Sequence, residues 1–358
     1  MKSFRDNNFD VLRLIAAGCV LLSHSFALIN QREPLEVLSN GHYESGKLGV
    51  TIFFCISGYL ITNSWLMSES PTRFVSSRIL RIYPALVMAV IYSMAVAWVS
   101  SNSAFMDFFF NDGARHYFMQ NTLMIWDNAE TVLPNAFTTN PVSGGPNGSL
   151  WTLPLEIKCY LAVLLLGVVG LMRLRFVGLI LAIIALVVYA ETAFTIGTPI
   201  YKFSEFDLYT CFIAGALFRN INKANTGYLV LFIIGLIGFV LSQLGFASAH
   251  SPAYITVQIA ICIGVLIVAL SLPRRFNFPL PVDLSYGLYI YGFPTQQLLI
   301  HLMPAIHPIN LCLLTLSIVI PLSWASWTWV EKPCLNLKSK IGRGLGLLPA
   351  HLAPSVGK

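Results

Sequence analysis

Charge is what this 358-residue chain has least of: Asp, Glu, Lys and Arg together make up 11% of it, against roughly 25% in soluble domains. With 56% hydrophobic residues, that shortfall excludes a soluble globular domain and reads as an integral membrane protein. The seven cysteines, at 19, 55, 159, 211, 262, 312 and 334, contain no CxxC pair. Six of them lie in apolar segments, where a free thiol behaves as a small hydrophobe, so neither a disulfide framework nor a metal site is signalled. The halves show no internal repeat and no matched pair of broken helices, the features that mark many transporters. The net charge of +6 reads as basic residues facing the cytoplasm, so no nucleic-acid partner is expected.

What the chain does have is long apolar runs. Windows able to cross ~30 Å of hydrocarbon predict an all-α, polytopic membrane helix bundle of about ten spans, at 11–29, 48–66, 79–100, 149–171, 174–194, 206–219, 226–247, 253–272, 283–303 and 309–331. With both termini cytoplasmic, sixteen Lys and Arg fall on inner segments and only Arg32, Lys47, Arg115 and Lys202 on outer ones, the asymmetry that positive-inside orientation requires. Lys2 and Arg5 followed by Leu14–Leu22 resemble a signal peptide. The segment, however, stays apolar past the small residues at 25–27 and carries Arg13, so it is read as a retained helix. The longest loop, 101–148, includes a short interfacial helix over 116–126, and Trp126 is read as an interfacial anchor. The expected organisation is a transmembrane domain over 1–331 and a short basic cytoplasmic tail over 332–358.

Ionisable residues inside spans are costly and usually face a protein interior or a wet cavity. Arg13 and His24 are eleven residues apart in the first span, which is about three helical turns, so both lie on one face ~16 Å apart. Depth counting places His24 ~8 Å below the outer surface and Glu156 ~10 Å below it, level enough to pair. Arg13, Arg78 and Arg81 cluster at the opposite, cytoplasmic end. Guanidinium groups hold phosphates through several donors, so this layout suits a long phosphorylated donor entering from the cytoplasm. A histidine near the outer face could deprotonate an acceptor hydroxyl, with a carboxylate orienting its ring. The residues alone leave a transporter or exporter of a glycan or lipid-linked precursor open, because intramembrane ionisable groups are normal there too.

Six elements in order carry a family resemblance. They are Asp10-Val-Leu-Arg13 with His24, Gly49–Ile61, Arg78-Ile-Leu-Arg81-Ile-Tyr-Pro84, Asn147–Glu156, Ser285-Tyr-Gly-Leu-Tyr289 and Glu331-Lys-Pro333. The chain resembles the acyltransferase-3 family of bacterial membrane O-acyltransferases over nearly its whole length. The resemblance implies transfer of an acyl group, most often acetyl, from acyl-CoA to a hydroxyl of an envelope or exported polysaccharide or lipopolysaccharide. It implies no tightly bound cofactor, and a location in the bacterial cytoplasmic (inner) membrane. His24 would act as general base with Glu156 or a neighbour holding it, direct transfer and an acyl-histidine relay both being open, and Arg13, Arg78 and Arg81 would bind CoA phosphates. Ser57, Tyr59, Asn147 and Trp151 would line the chamber. One departure stands out: many relatives carry a histidine just after the Ser-Tyr-x-x-Tyr run, where this chain has Gly292, and His301 lies too far along to substitute.

Overall fold

The computed structural model describes residues 8–173 apart from 40, 42, 69, 102, 125–128, 130 and 131, together with 205–220, 252–271, 280 and 282–337. Helix is the regular structure throughout the described residues. The main elements are α1 (Phe9–Ala27), α2 (Ser45–Ser68), α3 (Pro71–Ser100), α4 (Leu153–Val168), α5 (Glu205–Asn220), α6 (Pro252–Ser271), α7 (Ser285–Leu302) and α8 (Pro308–Ser326). These occupy eight of the ten expected positions. The spans expected at 174–194 and 226–247, Trp126 and most of the tail lie outside the described residues. Phe9–Ala27, Ser45–Ser68, Pro71–Ser100, Gly148–Val168 and Pro308–Leu337 are long and apolar enough to cross a membrane. Leu161, Leu165 and Val168 on α4 and Leu313, Leu314 and Ile318 on α8 face outward and exposed, as lipid-facing surface does.

Local chemistry explains several ends. α3 starts at Pro71, eight residues before the expected 79. Ser70 caps it by accepting from the Arg73 N–H, and Pro71 occupies the first helical position, where its missing N–H costs nothing. The expected interfacial segment is the helix Asp112–Leu123, begun by Asn111 accepting from the Ala114 N–H at 2.8 Å. α8 continues through a π-helical turn, Trp327–Glu331, a feature frequent at functional sites.

Contacts fix the relative sense of the helices. Arg13 of α1 meets Asp283 just before α7, while Leu21 and Ser25 meet Gln296, so α1 and α7 run the same way. Arg81 meets Asp283 and Tyr92 meets Thr295, so α3 shares that sense. α2 runs opposite, with Tyr59 beside Phe9 and Ser45 bonded to Cys19. α4 also opposes α7, pairing Thr152 with Tyr289 and Gly148 with Phe293. This alternation agrees with spans one to four and nine of the expected order.

The tightest seam joins α2 and α5. A Cβ on Gly58 would run into the backbone of Phe212, and one on Gly215 into the carbonyl of Cys55. Close backbone approach through small residues is how helices associate where lipid offers no hydrophobic drive. At the far end of α3, residues 132–147 fold into the bundle, burying Leu133, Ala136 and Phe137. Buried backbone needs partners. Gln297 supplies them by donating to the carbonyls of Val142 and Gly145, both at 2.9 Å, while Asn140 donates to Gln297.

Candidate active site

A cavity of about 110 Å³ lies between α1, α2, α3, α4 and α7, toward the end of the bundle where α1 begins. Its polar wall is Arg13, Ser57, Arg78, Arg81, Thr152, Glu156 and three tyrosines, 160, 286 and 289. Val50, Phe53, Leu60, Ile61, Ile82 and Leu153 are among its apolar residues. Five residues expected at the site therefore share one chamber: Arg13, Ser57, Arg78, Arg81 and Glu156.

Each charge there has a distinct arrangement. Asp283 accepts from Arg13 at 3.2 Å and also pairs with Arg81, while its other oxygen takes the Ser285 hydroxyl at 2.7 Å and the Ser285 N–H at 3.2 Å. Arg81 additionally lies 3.7 Å from Glu331, and its guanidinium stacks 5.6 Å from the Trp327 ring and 5.9 Å from that of Tyr286. The π-helical turn thus seats both Trp327 and Glu331 on Arg81. Arg78 is placed differently. It donates to Ser77 and stands 5.9 Å from the rings of Phe74 and Tyr160, with no carboxylate in ion-pair range among the described residues. Glu156 accepts from Ser57 Oγ at 3.1 Å and from the Tyr160 hydroxyl.

Four expected residues lie elsewhere. Tyr59 packs between the rings of Phe9 and Phe218. Trp151 is half-buried against the core. Asn147 is fully buried, donating to Ser93 Oγ at 3.1 Å and to the Ile290 carbonyl at 2.9 Å. That carbonyl needs an outside donor, because its normal helical partner would be residue 294, a proline without an N–H. Asn147 also caps the 3₁₀ turn Gly148–Thr152 that leads into α4.

His24 meets the ring of Phe293 edge-on at 5.1 Å, and no side chain among the described residues hydrogen-bonds its imidazole. Gly148 lies against the same Phe293 ring. Glu156 follows Gly148 by eight residues, the first four through the 3₁₀ turn, so it sits ~14 Å further along the bundle. The expected His24–Glu156 pairing is therefore corrected: Ser57 and Tyr160 hold the carboxylate. The reason is local. Asn147 anchors the start of this segment to the middle of α7, so depth counted from an outer surface at 149 places Glu156 too far out. Gly292 faces Leu21 of α1, and His301 reaches Thr139 at 3.3 Å at the far end of α7.

Sequence reasoning gave no role to Asp283. Its signal was available: a carboxylate at the edge of an apolar span, in a chain with only 16 acids, needs a cationic partner. Glu331, the first residue of the closing Glu-Lys-Pro motif, is 1% exposed and faces Arg81.

The sequence profile of the family described as "Acyltransferase domain" matches residues 6–329. The chain belongs to the acyltransferase-3 family. An O-acetyl transferase of Shigella phage Sf6 is 31% identical over 353 residues, covering 94% of this chain and 98% of its own. Nodulation protein 10 of Rhizobium leguminosarum bv. viciae is 29% identical over 362 residues, covering 94% and 95%. No solved structure gives a significant match. This acyltransferase-3 chain is thus a membrane acyltransferase whose charged chamber combines residues from five helices.

Proposed function

We propose that this protein is an O-acyltransferase of the bacterial cytoplasmic membrane. It moves an acyl group, acetyl foremost, from acyl-CoA to a hydroxyl of an envelope or exported glycan. The observation that carries this reading is the chamber itself: an Arg-rich mouth opening onto a slot of mixed polar and apolar lining, in a chain alike over almost its full length to an O-acetyl transferase. Ten spans with both ends in the cytoplasm put that mouth on the side where CoA thioesters are found, as the lysine and arginine count favours.

Arg78 is the first contact for CoA phosphate, because no carboxylate among the described residues is in ion-pair range of it. Arg13 and Arg81 join once phosphate competes with Asp283. His24 takes the proton from the acceptor hydroxyl, whose oxygen adds to the thioester carbonyl. Collapse of the tetrahedral intermediate breaks the C–S bond, and the CoA thiolate leaves with the proton from His24. Glu156, held by Ser57 and Tyr160, keeps the polar wall of the chamber in register.

The test is labelled acetyl-CoA supplied to membranes containing the protein, followed by surface-glycan NMR from wild-type and deletion strains. Transfer that disappears in His24→Ala at normal protein level supports the reading. Undiminished transfer in that variant rejects His24 as base, and independence from acyl-CoA favours glycan export.

A further inference from the structure

The donor chamber and His24 do not share a space. Tyr289 and Thr152 both line the chamber, and their hydroxyls are joined at 2.6 Å. The Tyr289 ring is met edge-on by Phe53 of α2 at 5.6 Å. One helical turn beyond Tyr289 comes Phe293, the ring against which His24 packs. Neither His24 nor Phe293 is among the chamber's lining residues. Three elements, α2, α7 and the 3₁₀ turn before α4, thus converge on a single layer between the arginine end and the histidine. The Tyr289–Thr152 hydrogen bond is buried, and its residues come from elements that Asn147 pins together through Ile290.

We infer that the Tyr289–Thr152 bridge, backed by Phe53, is the gate between the donor chamber and His24, and that it sizes the acyl group that passes. The inference rests on the thioester-donor reading above. A thioester whose phosphates are held at the arginines points its acyl end at this layer. The chamber's volume of about 110 Å³ is small beside the ~300–1,000 Å³ of common ligand pockets, which favours a short acyl group. An apolar slot discriminates roughly 10–200-fold per methylene, so widening this layer should act chiefly on chain length.

The experiment compares kcat/KM for acetyl-CoA and butyryl-CoA in the full-length protein in membranes, for wild type, Phe53→Ala and Thr152→Val. Phe53→Ala enlarges the layer and is expected to raise the butyryl-to-acetyl ratio about tenfold or more. Thr152→Val keeps the volume, cuts the hydrogen bond and is expected to increase CoA release without acceptor, water entering through the opened layer and taking the acyl group as the free acid. Because it changes no volume, it serves where Phe53→Ala lowers the amount of folded protein. A ratio within twofold of wild type in Phe53→Ala, or in the valine variant no added acceptor-free release, overturns the gate. Equal loss of both donors in either variant also overturns it, since that is the mark of a residue needed for chemistry alone. If the wild type moves neither acyl group, the proposed function falls and the gate with it. Transfer by the wild type with unchanged selectivity removes the gate only.

Discussion

Replacing Asp283 by alanine should cost more than any other single truncation at the mouth of the chamber. The carboxylate accepts four hydrogen bonds, from Arg13, Arg81, the Ser285 hydroxyl and the Ser285 N–H. The side chains of Arg13, Arg81 and Asp283 are 23%, 18% and 13% exposed, so water replaces little of what is lost. Alanine leaves two guanidiniums with Glu331, 3.7 Å from Arg81, and with the more distant Asp10. Removing one partner of a buried pair costs about 3–5 kcal/mol. Asp283→Asn keeps the shape and the contact with Ser285 and should cost about 2 kcal/mol, near the value of hydrogen bonds to charged groups. Thermal and denaturant unfolding in one detergent, followed by tryptophan fluorescence, measures both. The double variant Arg13→Ala/Asp283→Ala should destabilise by less than the sum of its parts, because the unpaired Arg13 is gone. An Asp283→Ala protein within about 1 kcal/mol of wild type, with additive double-variant behaviour, would refute the claim that this carboxylate holds the mouth together.

Other outcomes follow from the same geometry. Arg78→Ala should raise KM for acyl-CoA by about 10–100-fold, the worth of a charge-assisted contact, with KM for the glycan little changed in steady-state assays. Arg81→Ala should instead lower the yield of folded protein on fluorescence-detected size exclusion, since Arg81 bridges Asp283 and Glu331. Asn147→Ala should cost about 2–3 kcal/mol by exposing an unsatisfied carbonyl and losing a cap; in a Pro294→Ala background the penalty should shrink, because residue 294 then supplies its own N–H. Gly58→Leu should abolish the folded, detergent-stable species, as the added side chain meets the Phe212 backbone.

Much of the molecule was legible in one sequence because membrane insertion limits the options. Apolar run length alone placed helices at the eight expected positions that fall among the described residues. Charge scarcity singled out Arg13, Arg78, Arg81 and Glu156 as inward-facing, and they do line one chamber. Depth was harder to read. Counting residues from a presumed surface assumes each span starts there, and Asn147 breaks that assumption by docking on the carbonyl that Pro294 leaves free. His24 and Glu156 consequently belong to different layers. Asp283 escaped notice because it precedes α7 in sequence, and only folding brings it to Arg13, 270 residues away.

The seam between α2 and α5 bears on how such a chamber can open. Where Gly58 and Gly215 meet opposing backbone there is no side chain to change rotamer, so those two helices must travel as one rigid strut. Compliance is left to the opposite wall, where α2 meets α3, α4 and α7 through side chains: Trp65 on the Phe74 ring and against Gly167, Ser57 on Glu156, and Phe53 on the Tyr289 ring. Breathing of this protein should accordingly be one-sided, a moving wall of side-chain contacts working against a fixed one.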